Sequence, residues 1–314
     1  MNSWYHSALK PLSSEPEGIR VTIESGLDAT QIGALLEQKK VIKSAKAFRH
    51  YVDHSSNRGH LQAGVYLLSA GDSVQEIVEI LVSGKVDDFN FTLTPGKRLD
   101  QIVASLEKAG YEKSAITAAL QKTYGHPLLA DKPASADLEG YIFPDTYRLN
   151  SGTSVESLVT ITFDTFYQKI QDEGILDKLK AQKLSLFQAI TLASIVQQEV
   201  SGYDDQQKVA QVFLRRLREG MPLGADPTFR YASHKAGVGD TINIDSPYNT
   251  RLYKGLPPGP IGNFNLSALK AVANPASTDY LYFVAGDDGV TRYSYTQAEH
   301  EALTAKYCVE LCQQ

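Results

Sequence analysis

Apolar residues recur along this chain in two periods, helical and alternating. The run SLFQAITLASIVQQEV sets Leu186, Ala189, Ile190, Ala193, Val196 and Val200 at helical spacing. It predicts a helix over 185–200 with a wide apolar face. Ser185 followed by Gln188 is the capping-box signature of its start. Leu192 and Ile195 widen that face, and Glu199 falls between them at roughly 100° per residue. A carboxyl desolvated in this way has a raised pKa, as a general acid at neutral pH requires. The bland alternative is an acid in the last turn that simply reaches solvent.

The first third of the chain is organised by a repeat. VTIESGLDATQIGALLEQKKVIKSA, starting at Val21, returns 70 residues later as FTLTPGKRLDQIVASLEKAGYEKSA, starting at Phe91, with ten ungapped identities in 25 positions. A shorter echo, YLLSAGDSVQEIVEILVSG, begins at Tyr66. Each unit reads as a short alternating strand, a glycine turn and an amphipathic helix. Such a unit cannot bury both faces alone. The first unit and the Tyr66 echo, with AKAFRHYVDHSS between them, predict a small α+β domain over 18–88. The unit at Phe91 should open the next region. Glycan contact and a spacer role both remain open for this module.

Further on, YGHPLLADKPASAD reads as a loop or lid. In LEGYIFPDTYRL, Pro144 fixes a bend, and Tyr141, Phe143 and Tyr147 suggest a packed, partly exposed ridge. Helices are expected at 155–170 and 204–219 as well. The latter has an acidic first turn and basic late turns, matching the helix dipole, with Arg215, Arg216 and Arg218 read as a solvated face. Loops rich in Pro, Gly, Asn and Tyr follow; rigid loops of this kind suit sugar hydroxyls and N-acetyl groups, or they merely brace a long connection. YLYFVAGDDGVTRYSYT predicts a hairpin that closes the sheet of the second domain, with the helix QAEHEALTAKYCVELC behind it.

With 314 residues, two or three domains are expected. The net charge of −5 argues against a nucleic-acid partner. Histidines never pair at a metal-binding spacing beside a suitable carboxylate, no GxGxxG opens a βαβ unit and no GxSxG is present, so neither a metal nor a cofactor is expected. Cys308 and Cys312, four apart on the expected last helix, could pair only with strain or fraying; they hint at a helix–helix face or at a tail disulfide in an oxidising compartment. No window approaches the roughly 18 apolar residues of a membrane span, and the first residues lack a signal-peptide core.

Several ordered motifs together resemble the endolytic murein transglycosylases of the MltG/YceG-like family, over about residues 18–305. They are LEGYIFPDTY (138–147), LASIVQQE (192–199), ADPTFRYA (225–232), SPYNT (246–250), GLPPGPI (255–261), ANPA (273–276) and YLYFVA (280–285). The resemblance implies an α+β protein: a LysM-like subdomain over 18–88, then a mixed α/β catalytic domain with a helical core over 89–314. It implies cleavage of nascent peptidoglycan glycan strands between MurNAc and GlcNAc, with a 1,6-anhydro-MurNAc end that terminates elongation near penicillin-binding synthases. It also implies an inner-membrane protein with one N-terminal span and a periplasmic catalytic part. Pro11 to Glu17 would then be the juxtamembrane stretch, and the chain the periplasmic part.

The family's catalytic glutamate falls on Glu199. The matched motifs supply the expected substrate-binding set: Glu139, Asp226, Thr228, Ser246, Tyr248, Asn249 and Thr250. The sequence departs from the family at Gln197, where an acid is usual, at Arg251, where a tyrosine is usual, and at Asn263, Phe264 and Asn265 after the PPGPI turn. A single acid suits a lytic transglycosylase, which needs no external water. A hydrolase would instead want a second carboxylate, Glu139 or Asp226, about 5–5.5 Å away for retention or about 6.5–9.5 Å for inversion. Asp226 could alternatively hold its own turn through a backbone N–H. A non-catalytic glycan-binding scaffold is the third reading.

Overall fold

The computed structural model describes residues 3–13, 18–84, 88–150, 152–310 and 312. Part of the expected juxtamembrane stretch, residues 14–17, lies outside them. In chain order the elements are α1 (Ser3–Ala8), β1 (Gly18–Ile23), α2 (Ala29–Gln38), α3 (Ala45–Asp53), β2 (Gly64–Ser69), α4 (Val74–Ser83), β3 (Asp88–Thr92), α5 (Leu99–Lys108), α6 (Lys113–Gln121) and β4 (Thr146–Asn150). Then come α7 (Val155–Asp172), α8 (Ile175–Gln182), α9 (Leu186–Glu199), α10 (Tyr203–Arg218), α11 (Asp226–Lys235), α12 (Leu266–Ala273), β5 (Tyr282–Ala285), β6 (Thr291–Ser294) and α13 (Gln297–Tyr307). The protein is thus mixed α+β, with helices dominating and with small antiparallel sheets. No helix among the described residues is long and apolar enough to cross a membrane.

The chain divides into two compact units, the first made of Met1–Thr92, Val103–Ala119 and Thr146–Leu158. In it, β1 and β2 pair antiparallel from Gly18↔Ser69 to Ile23↔Gly64. Alternation then sends Val21, Ile23, Tyr66 and Leu68 to one core with Ile32, Leu36, Phe48, Ile77 and Leu81. Each such burial stabilises by about 1.5–3 kcal/mol. The repeat shows in the caps: Asp28 and Gln31 box the start of α2, and Ser73 and Glu76 box that of α4. The strand of the Phe91 repeat, β3, pairs with β4 rather than with β1 or β2.

The second unit comprises Leu93–Ile102, Leu120–Asp145 and Val159–Gln314. Its centre is α9, packed by α8, α10, α11 and α12. Every residue from Ala189 to Val196 is buried, so this helix is enclosed on all sides rather than along one face. Tyr141 and Phe143 are buried too, not a partly exposed ridge; Phe143 stacks on Phe166 at 4.8 Å. Tyr147, in the first unit, is likewise buried.

Two further expectations are corrected at the C-terminal end. The β5–β6 hairpin forms a sheet of its own and extends no larger one among the described residues. Helix α13 stops at Tyr307, with Cys308 as its cap. Cys308 and Cys312 are disulfide-bonded, and no helical strain arises because the helix has already ended. Asp287 of the hairpin turn accepts the Val309 and Glu310 N–H groups at 2.8 and 3.1 Å, tying down this tail.

Candidate active site

Helix α9 starts at the capping box seen in the sequence: Ser185 Oγ accepts from Gln188 N–H, and Gln188 Oε1 accepts from Ser185 N–H. Its last turn carries three polar residues in a row, and the three differ in their partners. Gln197 Oε1 accepts the Asn265 N–H at 2.9 Å, and Gln198 Nε2 donates to the Gly96 carbonyl at 2.9 Å. The Glu199 carboxyl makes no hydrogen bond to a described residue. It is half-buried, and burial pushes its pKa up to about 8, assisted by the charge of Asp226. The guanidinium groups of Arg230, Arg251 and Arg216 act in the opposite sense. At neutral pH the carboxyl is therefore mostly protonated and able to give a proton.

Asp226, the first residue of α11, does not bond its own turn. Its carboxylate is held by Arg251, whose Nε donates to Oδ1 at 2.7 Å and whose Nη2 also contacts it. The pair stands on a buried knot. Thr228 and Thr250 share a hydroxyl–hydroxyl hydrogen bond of 2.9 Å, Thr250 Oγ1 accepts from Ala225 N–H, and Thr228 Oγ1 accepts from Thr250 N–H. Asn249, fully buried, braces the same loop: its Nδ2 donates to the Ile242 and Ile244 carbonyls, and its Oδ1 accepts from Arg251 N–H. Thr228, Asn249 and Thr250 thus have their polar atoms committed inside the protein. Ser246 and Tyr248 are half-buried, with Ser246 Oγ accepting from Tyr248 N–H.

Glu139 belongs to a second cluster. It is 4% exposed and its two oxygens are both occupied, Oε1 by the Leu99 N–H at 2.8 Å and Oε2 by the Tyr231 hydroxyl at 3.1 Å. Burial, with the charge of Asp137, pushes its pKa up to about 7 against the pull of those hydrogen bonds and of Lys235. The Tyr231 ring lies 4.9 Å from that of Tyr248. Burial holds the Tyr248 phenol up at about 12 and raises that of Tyr231 well above its ordinary range, so both stay neutral. Helix α11 joins the two clusters, with Asp226 and Arg230 one turn apart and Tyr231 next to them; it packs against α9.

The proline-rich loop closes on these elements. Gly140 has φ +79°, and a Cβ there would lie 2.6 Å from Pro260 and 3.3 Å from Ile190 of α9. Only glycine permits that approach. Ser194 of α9 accepts the Ile261 N–H at 3.0 Å. Asn263 exchanges hydrogen bonds with Lys97, its N–H donating to the Lys97 carbonyl and its Oδ1 accepting the Lys97 N–H.

Sequence reasoning did not find Tyr231, Arg230 or the role of Arg216. Arg216 is not on a solvated face: it is half-buried, donates to the Leu281 and Leu223 carbonyls, and lies over the Tyr282 ring. The spacing of Asp226 and Arg230 was a usable helical signal; the 92-residue separation of Glu139 from Tyr231 offered none.

The chain is 35% identical to the endolytic murein transglycosylase of Bacillus subtilis (strain 168), over 96% of this chain and 88% of that protein. It is 29% identical to the endolytic murein transglycosylase of Streptococcus pneumoniae serotype 2 (strain D39), covering 92% of this chain but 58% of that longer protein. A crystal structure of a YceG-like protein from Listeria monocytogenes superposes with a TM-score of 0.60 at 31% identity, covering 92% of this chain and all of that one. The YceG-like family model matches residues 21–306, and the chain belongs to that family.

Proposed function

We propose that this protein is an endolytic peptidoglycan transglycosylase whose proton donor is Glu199. One observation carries the assignment: a carboxyl that ends a helix buried from Ala189 to Val196, stays protonated near neutral pH and has no hydrogen-bonded partner among the described residues, while both glutamines before it are anchored.

Glu199 gives its proton to the oxygen bridging MurNAc C1 to GlcNAc as the C1–O bond breaks. The resulting carboxylate accepts the proton of the MurNAc C6 hydroxyl while its oxygen bonds to C1. One bond breaks, one forms, the acid is regenerated, and the product ends in 1,6-anhydro-MurNAc without uptake of water. Around Glu199, Arg251 holds Asp226 and the Thr228–Thr250 knot supports both. Ser246 and Tyr248, half-buried on the bracing loop, meet the N-acetyl sugar, with Asn249 and Thr250 shaping that loop from within.

The two-carboxylate hydrolase is disfavoured by the same bonds, because Asp226 is paired with Arg251 and both Glu139 oxygens are engaged. The strand–turn–helix module over 18–88 acts as a LysM-like glycan contact, with 89–314 as the catalytic part. Partnership with penicillin-binding synthases, an inner-membrane anchor and a periplasmic catalytic part belong to the same proposal and rest on the resemblance to the family; the Cys308–Cys312 disulfide suits such an oxidising compartment. Digestion of purified peptidoglycan followed by mass spectrometry tests the reaction. Anhydro ends, one water lighter than reducing ends, are expected from the native protein and absent with Glu199→Gln. Reducing ends from the native protein would overturn it.

A further inference from the structure

Resting on the reaction proposed above, we infer that Glu139 is a positioning residue that acts through the Tyr231 hydroxyl to fix the Tyr248 ring for sugar binding. Glu139 follows the turn of Asp137, whose Oδ1 accepts the Glu139 N–H at 3.0 Å, and precedes Gly140, where the backbone meets Pro260. The side chain is held from both ends, by Leu99 N–H and by the Tyr231 hydroxyl. No substrate group reaches a carboxyl 4% exposed without first displacing one of these partners.

What Glu139 controls is the next layer out. Tyr231 is 4% exposed, and its ring meets Tyr248 at 4.9 Å with a tilt of 47°. The Tyr248 hydroxyl comes so near the proline-rich loop that a Cβ on Gly259 would be 3.3 Å from it. Tyr248 is therefore set between the Tyr231 ring and that loop, with its remaining surface open to a ligand. A tyrosine has few torsions to freeze, and fixing them beforehand spares a sugar the cost of ordering its platform. The hydroxyl of Tyr231 can donate to a carboxylate or accept from a carboxylic acid, so the link persists in either ionisation state of Glu139.

The test is the apparent KM and kcat on soluble uncrosslinked glycan strands for Tyr231→Phe, Glu139→Ala and Glu139→Gln. Tyr231→Phe keeps the ring and loses only the link; it should raise KM about tenfold with a smaller change in kcat, the size of one lost hydrogen bond. Glu139→Ala should do at least the same. Glu139→Gln, which keeps an oxygen for Leu99 N–H and offers an amide N–H to Tyr231, should recover most of the affinity that Glu139→Ala loses. A residue that served folding alone would lower the active fraction and leave KM in place. The inference is overturned if Tyr231→Phe leaves KM unchanged, or if folded Glu139→Gln loses turnover as completely as Glu199→Gln. Should the native products carry reducing ends, the transglycosylase reading fails while the KM pattern still decides whether Glu139 acts through Tyr231.

Discussion

Glu199→Gln should abolish cleavage and, at the same time, make the protein more stable at neutral pH. The Glu199 carboxyl titrates near its ordinary value of 4.5 in the unfolded chain and at about 8 in the folded one. The folded state therefore binds the extra proton between those values, and stability falls as pH rises. The slope is at most about 1.4 kcal/mol per pH unit for one group. At pH 7 the resulting loss of stability amounts to about 3 kcal/mol; it is absent below pH 4.5 and grows until pH has climbed through about 8. A glutamine has the same shape and no proton to lose, so it escapes this penalty. The gain should raise the melting temperature by roughly 6–12 °C, taking about 2–4 °C per kcal/mol for a domain of 150–250 residues.

Urea denaturation of native and Glu199→Gln protein at pH 4.5, 6 and 7.5 reads the effect. The two curves should coincide at the lowest pH and separate steadily above it. Activity should instead hold over most of this interval and fall only as pH passes through about 8, where the folded-state acid ionises and can no longer start the reaction. Equal stabilities at pH 7.5 would refute the reasoning, since a carboxyl that costs nothing to bury near neutrality is already ionised and cannot be the proton donor. Glu139, held up at about 7, adds a decline of the same sign to both proteins, which is why the comparison between them, not the native curve alone, is decisive.

Arg251→Gln removes a cation that lowers the Glu199 pKa and frees Asp226, which raises it; the alkaline limb of the pH–rate profile should move up by about one unit, checked by initial rates across pH 6–10. Gly140→Ala forces a side chain into a φ of +79° and against Pro260; it should destabilise by about 2–4 kcal/mol in chemical denaturation. Replacing Cys308 and Cys312 together by serine should leave cleavage unchanged and speed amide exchange only around Val309 and Glu310, whose N–H groups Asp287 holds.

How much of this was legible in the chain follows from the range of each interaction. The start of α9, its continuation to Glu199 and the paired caps of the repeat depend on residues three or four apart, and Ser185, Gln188, Ser73 and Glu76 declare them. The enclosure of α9 on all sides was half visible, since Thr191 and Ser194 look polar in sequence yet turn their hydroxyls back to the Phe187 and Thr191 carbonyls. Composition gave no warning that Arg216 would leave the basic end of α10 for two backbone carbonyls and an aromatic ring, because basic late turns satisfy the helix dipole equally well in solvent. The spacing of Cys308 and Cys312 left a tail disulfide as one of two readings, and that bond is present; only the strain expected of it is not, because Cys308 ends the helix.

The last turn of α9 shows why a single acid could be picked out before any partner was known. Successive residues of a helix point about 100° apart, so Gln197, Gln198 and Glu199 address three different directions. A structural role at a helix end is to satisfy backbone groups of neighbouring loops, and an amide can do so as donor or acceptor without a net charge. Gln197 accepts from Asn265 and Gln198 donates to Gly96, each fixing a loop to the helix. Glu199 could serve as an acceptor in the same way, and among the described residues it does not. A carboxyl kept half-buried, without a hydrogen bond, beside a carboxylate that further disfavours its ionisation works against stability. Such an arrangement is intelligible where the proton is needed for reaction, and the two anchored glutamines hold the acid in the position from which it can be given up.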